Sequence, residues 1–239
     1  MNQENLEKLV QRFQNLFAKD KNYYAMDYGD RFNPKRNKET NKIEYSADEN
    51  GKRPFWYVDH DLRSRTYWQH LECLNTEEDA REREVVYMDW AIIIPPITEN
   101  NECKFGAIDV DIYNKPEELK RIVSEIYKEE LPIVPCYSKS GGLHLYVFFK
   151  EFTKCSAVIK YLKSINKKLN IKAKEIFPKQ EKLKWNEKKK SFSVGNGILI
   201  PYKSCLWTDD GRYTKSSNEW IMNDRMETGT IHEFLNWAE

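Results

Sequence analysis

Phe105-Gly-Ala-Ile-Asp-Val-Asp-Ile-Tyr113 decides how this chain reads. Side chains alternate across an extended strand, so Ile108, Val110 and Ile112 share one face. Asp109 and Asp111 share the other, their Cα atoms roughly 6–7 Å apart over two strand rises. Two carboxylates that close repel each other unless positive charge stands between them. A hard divalent cation with oxygen ligands meets that demand, and magnesium or manganese suits it. The tripeptide alone is equally readable as a solvated sheet face. An EF-hand is excluded, because Asn114 and Lys120 stand where that loop needs Gly and Glu.

Working outward, the strand reads as Lys104–Tyr113, and Pro116 opens a helix with Leu119, Ile122, Val123 and Ile126 on one face. Leu131–Tyr137 is a second strand. Then comes Ser138-Lys-Ser-Gly-Gly-Leu-His144, a glycine turn leading into strand Leu143–Phe149. Gly141 and Gly142 permit a tight turn with exposed N–H groups, and Ser138, Lys139 and Ser140 add donors and charge. Such a turn suits phosphate oxygens, although an ordinary hairpin would look the same. His144 falls opposite Leu143, Leu145 and Val147 and reads equally as a structural histidine. The turn lacks the Gly-Lys-Ser/Thr ending of a Walker A loop. Ser156–Leu169 is a second helix, and Ala173–Phe177 and Gly197–Tyr202 are short strands. The order strand–helix–strand–strand–helix–strand predicts an α+β fold: an RRM-like, split βαβ sheet with helices packed on it.

Upstream, residues 4–18 read as an amphipathic helix and residues 27–54 as polar loops with a short hairpin near Ile43–Tyr45. Residues 76–84 read as a charged helix and Ala91–Ile94 as a strand. Tyr67-Trp-Gln-His-Leu71 reads as helical, and Trp56 and Trp68 as core residues. The expected division is an N-terminal α/β subdomain over 1–100 and the RRM-like subdomain over 101–239, joined in one core. The C-terminal Ile231–Trp237 reads as a short helix.

Composition narrows the function. The 239 residues carry a net charge of +1 with 32% charged residues, so any basic surface is local rather than general. Cys73, Cys103, Cys136, Cys155 and Cys205 form no CxxC pair and fit no zinc spacing. Reduced thiols and the lack of a leader-like apolar run point to a cytoplasm, and Trp90–Ile97 is too short to span a bilayer.

The ordered set resembles the archaeo-eukaryotic primase superfamily: Asp109-Val-Asp111 on one strand, then Ser138-Lys-Ser-Gly-Gly-Leu-His144 before another. Within it the chain is most similar to primases of phages, plasmids and mobile conflict systems, through Glu175-Ile-Phe-Pro-Lys-Gln180 and Gly195-Asn-Gly-Ile-Leu-Ile-Pro-Tyr202. The resemblance covers roughly residues 60–210. It implies metal ligands at Asp109 and Asp111, with Glu175 as the third acid. Many relatives have Asp at that place, and Asp209 and Asp210 are the fallback. It implies nucleotide contacts from His144 and Ser140 with Lys139, Ser138, Gly141 and Gly142, and Lys179 is a further phosphate contact.

The implied activity is a template-dependent nucleotidyltransferase, a primase or primase-polymerase using Mg2+ or Mn2+ and nucleoside triphosphates on single-stranded DNA. The host compartment would be the cytoplasm of a bacterial, archaeal or phage-infected cell. No helicase motif is present, so a helicase domain or partner protein is expected to act with it. Template contacts are expected where six lysines between Lys179 and Lys190 surround Trp185: Lys182, Lys184, Trp185 and Lys188, with Lys203 and Arg212 on the same surface. That stretch reads as well as a solvated loop. Two other readings use part of the pattern. A DxD glycosyltransferase would leave the glycine–histidine segment without a role. A non-catalytic single-strand binder would show aromatics, not acids, on its central strand.

Overall fold

The strand that carries Asp109 is one of the two inner strands of a four-stranded sheet. The chain is described by a computed structural model over residues 3–17, 23–27, 34–36, 43–45, 56–59, 64–72, 91–138, 140–173, 175–188, 190–203 and 218–239. Strand β6 (Glu102–Val110) is followed by helix α3 (Pro116–Lys128), strands β7 (Val134–Tyr137) and β8 (Leu143–Lys154), helix α4 (Cys155–Lys168) and strand β9 (Glu175–Phe177). The sheet order is β7-β8-β6-β9, and every pairing is antiparallel. This is the expected α+β fold in its split βαβ form, two interleaved crossover units.

Helix α3 starts at Pro116, where a missing N–H costs nothing. Glu117 and Glu118 stand at its positive end and Lys128 at its negative end. Its buried Leu119, Ile122, Val123 and Ile126 join Val158, Leu162 and Ile165 of α4. Together they cover the sheet face of Ile108, Val110, Leu143, Leu145 and Val147. Gly106 sets how closely α4 lies: a Cβ there would stand 2.8 Å from Val158 and 2.9 Å from Leu162.

The opposite face meets a different set of elements. Phe105, Ala107, Tyr146 and Phe177 cluster with Leu9, Val10 and Phe13 of helix α1 (Gln3–Leu16), and with Phe17 just beyond it. Behind them lies a second antiparallel sheet, β12-β5-β1-β4, built from β1 (Tyr23–Asp27), β4 (Trp56–Asp59), β5 (Ala91–Ile94) and β12 (Ile198–Leu199). Helix α2 (Ser64–Glu72) packs on α1, and its buried His70 receives the Ile92 N–H on Nδ1 and bonds the Pro201 carbonyl through Nε2. Strands β2 (Pro34–Arg36) and β3 (Ile43–Tyr45) form the hairpin expected near residue 43. Helix α5 (Ile231–Ala238) begins with a capping box between Thr230 and Glu233.

The chain recrosses the expected division at residue 100. Strand β12 comes from residues 198–199, yet it pairs with β5. Later, residues 219–221 run beside β7, with Tyr137 N–H donating to Glu219 O and Ile221 N–H to Pro135 O. That pairing covers a sheet edge that would otherwise be open. The charged stretch 76–84, Asp209 and Asp210 lie outside the described residues, as does the side chain of Trp56. Trp68 is partly buried against the core, as expected.

One boundary differs where it matters. Strand β6 ends at Val110, not at Tyr113. The Ile112 N–H turns back to the Val110 carbonyl at 3.0 Å, a three-residue turn centred on Asp111. Asp111 therefore stands just beyond the sheet rather than on it.

Candidate active site at the end of the central strand

Cross-strand register places the polar residues together. Asp109 is directly opposite His144 on β8 and Glu175 on β9, and His144 is opposite Cys136 on β7. Directly opposed residues of an antiparallel pair project from the same face. Glu175, Asp109 and His144 thus form one row, contributed by three strands. The row beside it, Phe177, Ala107, Tyr146 and Val134, is wholly apolar apart from one phenol. His144 Nε2 lies 3.5 Å from Asp109 Oδ1. Lys179 Nζ contacts Glu175 Oε1 at 2.5 Å and sits 4.9 Å above the Phe177 ring. The Tyr113 hydroxyl donates to Asp111, and the Ser140 side chain of the glycine turn acts on the same phenol.

The electrostatics of the row are unbalanced. Burial pushes the Asp109 carboxyl up to about 7, and the charges of Asp111 and Glu175 add to the shift while Lys179 opposes it. Burial also lowers His144 to about 4, against the pull of Asp111 and of the Leu199 carbonyl. A desolvated carboxylate between two others demands positive charge. Three oxygen-donor carboxylates are the ligand chemistry of magnesium or manganese, so the donor set fits such ions. The side chains as placed do not form a closed cage: among the described residues no three His, Cys, Asp or Glu groups gather closely enough to hold a metal. Glu175 is turned to Lys179, and Asp111 to Tyr113.

The glycine turn closes on itself more than its sequence suggests. Gly142 N–H donates to the Ser138 hydroxyl at 2.9 Å, Gly141 N–H to the Ser138 carbonyl at 3.0 Å, and Ser138 N–H to the Gly142 carbonyl at 2.9 Å. The amides of both glycines are therefore spent inside the turn, and the buried Ser138 shapes it. Gly141 has φ +87°, which a side chain would strain. Gly142 is required by space: a Cβ there would come within 2.3 Å of the Val110 carbonyl oxygen. The turn is thereby pressed against the end of β6, beside Asp111. Ser140 is exposed at its tip, and Lys139 lies outside the described residues.

Residues 8–209 match the family described as the archaeo-eukaryotic primase domain of the TOTE conflict system. The chain belongs to that family. It is thus a primase-type domain of a nucleotidyltransferase superfamily whose members are generally metal-dependent, of the mobile conflict-system kind that its motifs resemble. No curated protein matches the chain. A primase family sets aside the sugar-transferring reading of the DxD pair.

Beyond β9 the primase domain carries a hairpin that the sequence pattern left as a basic stretch. Strands β10 (Trp185–Asn186) and β11 (Ser191–Phe192) pair antiparallel, and Trp185 meets Phe192 edge-on at 5.1 Å. Trp185 is 48% exposed, and Lys182, Lys184 and Lys188 are exposed around it. The base is tied down, with Leu183 N–H donating to Asn101 Oδ1 at 2.8 Å and Gln180 bonded to Asn196. Lys203 does not join this surface. It is only 9% exposed, close enough to His70 to lower that ring's pKa, so its expected place on a basic exterior is corrected. Arg212 lies outside the described residues. No described helix is long and apolar enough to cross a membrane.

Two tyrosines escaped the motif reading. Tyr113 ends the apolar segment of the DxD strand and holds Asp111. Tyr146 lies two residues past His144 and bonds its Nδ1. For Tyr146 the available signal was its i, i+2 spacing from His144 on one strand, which places both on one face; for Tyr113 the chain turns beyond Val110 and the alternation gives no such signal.

Proposed function

We propose that this primase domain is a template-dependent nucleotidyltransferase that synthesises or extends primers on single-stranded DNA from nucleoside triphosphates. The observation that carries the reading is the row Glu175–Asp109–His144, set by strand register beside the glycine turn. Three acids with a histidine between strands, abutting a Ser-Gly-Gly turn, suit a triphosphate with its cations better than a sugar or a bare strand.

Asp109, Asp111 and Glu175 are the residues that would hold divalent cations, magnesium or manganese. When bound, such ions supply charge neutralisation at the phosphates and a more acidic 3′-hydroxyl. The chain's own groups do the remaining work. His144 and the exposed Ser140 orient the triphosphate, and Lys139, next to Ser140 in sequence, adds positive charge. Lys179 moves from Glu175 to a phosphate oxygen, which frees that carboxylate. Asp109, desolvated and crowded by like charge, is poised for a positive neighbour rather than for water. The 3′-oxygen of the growing strand then bonds the α-phosphorus, the α–β phosphoanhydride breaks, pyrophosphate leaves, and the hydroxyl proton passes to solvent. The exposed Trp185, with Lys182, Lys184 and Lys188, would hold the template by stacking and phosphate contact. A helicase domain or partner protein would supply the unwound strand.

Primer synthesis and extension on single-stranded DNA, with magnesium or manganese, tests the reading. The wild-type chain is expected to incorporate nucleotides and Asp109→Asn to fail while keeping its fold by circular dichroism. Incorporation by Asp109→Asn at the wild-type rate would refute the assignment.

A further inference from the structure

Next to the polar row lies a side chain that no motif announces. Tyr146 is fully enclosed on β8, in the register row adjoining His144. Its ring is edge-on to His144 at 5.9 Å and to Phe17 at 6.0 Å, and it is stacked with Phe148 at 6.0 Å. A buried phenol needs partners for its hydroxyl. This one has two: the Leu199 carbonyl oxygen at 2.5 Å and His144 Nδ1 at 3.2 Å.

The directions of these bonds follow from what each atom carries. A carbonyl oxygen only accepts, so the phenol proton is committed to Leu199. The phenol oxygen can then only accept from the imidazole, which places a hydrogen on His144 Nδ1. In a neutral imidazole the other nitrogen is then bare. Nε2 presents its lone pair to the polar row, 3.5 Å from Asp109 Oδ1.

We infer that Tyr146 is a positioning residue: through its hydroxyl, strand β12 of the second sheet sets the tautomer and the aim of His144. Leu199 belongs to that other sheet, where it pairs with Ile93 of β5. The histidine of one sheet is therefore oriented by a backbone carbonyl of the other. Its outward nitrogen reports how the two sheets are seated, a property that the glycine–histidine segment alone does not contain. Orienting partners of this kind select which imidazole nitrogen meets the substrate. The consequence for nucleotide use rests on the nucleotidyltransferase reading, whereas the tautomer does not.

Long-range proton–nitrogen spectra of the whole chain, labelled at its four histidines, read each tautomer near neutral pH. His144→Gln assigns the signal. The expected wild-type signature is Nδ1–H. Tyr146→Phe keeps the ring, removes the hydroxyl, and is expected to move His144 toward the Nε2–H form. In primer extension the same variant is expected to raise KM for nucleoside triphosphate by about tenfold, with a smaller change in kcat. Affinity for single-stranded DNA is expected to stay unchanged. An Nε2–H signal in the wild type overturns the inference whatever the enzyme does, and that spectrum decides even where Tyr146→Phe fails to fold. An unchanged tautomer and an unchanged KM in Tyr146→Phe overturn the positioning role. Nδ1–H in a wild type that makes no primers supports the tautomer and sinks only the polymerase reading.

Discussion

Two adjoining rows on one face of the central sheet have opposite fates. Phe177, Ala107, Tyr146 and Val134 are sealed under α1 and the second sheet, with Phe17 edge-on to both Phe105 and Tyr146. Glu175, Asp109 and His144, the next row along the same strands, carry the charge. The strands do not change between the rows, and neither does their pairing. What changes is the chemistry and the exposure: Phe177, Ala107, Tyr146 and Val134 are buried, whereas Asp109 and Glu175 are partly exposed. Apolar packing lies in the closed row and the ionisable groups in the open one, where a crowded set of carboxylates opposes folding unless positive charge stands between them.

Asp109→Asn breaks the comparison most severely. Loss of one preorganised charge at a reacting centre costs on the order of 10³-fold in rate, so primer extension should fall at least that far. Stability should move the other way. The Asp109 carboxyl is raised from 3.8 to about 7, so its ionisation opposes folding. The penalty is absent below pH 3.8, grows as pH rises, and is complete above about 7. In chelator at pH 8, Asp109→Asn should therefore be more stable by on the order of 2–4 kcal/mol in urea unfolding. A less stable variant would mean that the open row is not strained by its own charge.

Gly142→Ala comes next. Its Cβ would meet the Val110 carbonyl at 2.3 Å, so the turn must move off the strand end, at a cost of about 1–3 kcal/mol. Thermal unfolding measures it, and nucleotide KM should rise in the same protein.

The closed side titrates in the opposite sense. Burial lowers His70 to about 3 from 6.5. Below pH 6.5 the unfolded chain takes up a proton that the folded chain refuses, so acid removes stability until about pH 3. Between pH 7 and pH 5 this amounts to about 2 kcal/mol, read as the difference in slope between the wild type and His70→Gln. Equal slopes would place water at that histidine.

On the basic hairpin, Trp185→Ala should weaken single-stranded DNA binding by about tenfold in chelator, the scale of one lost stacked base. Lys184→Gln and Lys188→Gln should each lower the salt slope by about 1 instead. The smallest effect expected is Gly141→Ala. Nothing stands within 4 Å of its Cβ, and only the positive φ resists, at about 1 kcal/mol by urea midpoint.

Much of the central sheet was legible. Helices α3 and α4, strands β7 and β8 and the β9 segment follow from apolar period and from Pro116, because those signals are local. The end of β6 was not, since alternation runs unbroken through Ile112 while the chain turns at Asp111 through a backbone bond. The β10–β11 hairpin was hidden by its lysines. Lys203 looked like surface because a long charged side chain gives no sign of being covered.

The DxD pair, the glycine turn and the histidine are legible as motifs in the sequence alone, because each is a local pattern of charge or backbone freedom. Placing Glu175 and His144 on either side of Asp109 required the strand register, which depends on contacts far apart in the chain. Only the packing of one sheet on the other brought the Leu199 carbonyl to Tyr146, and with it the direction in which His144 points. A hydrogen bond between strands of different sheets leaves no periodicity to read, so the tertiary structure alone decides it.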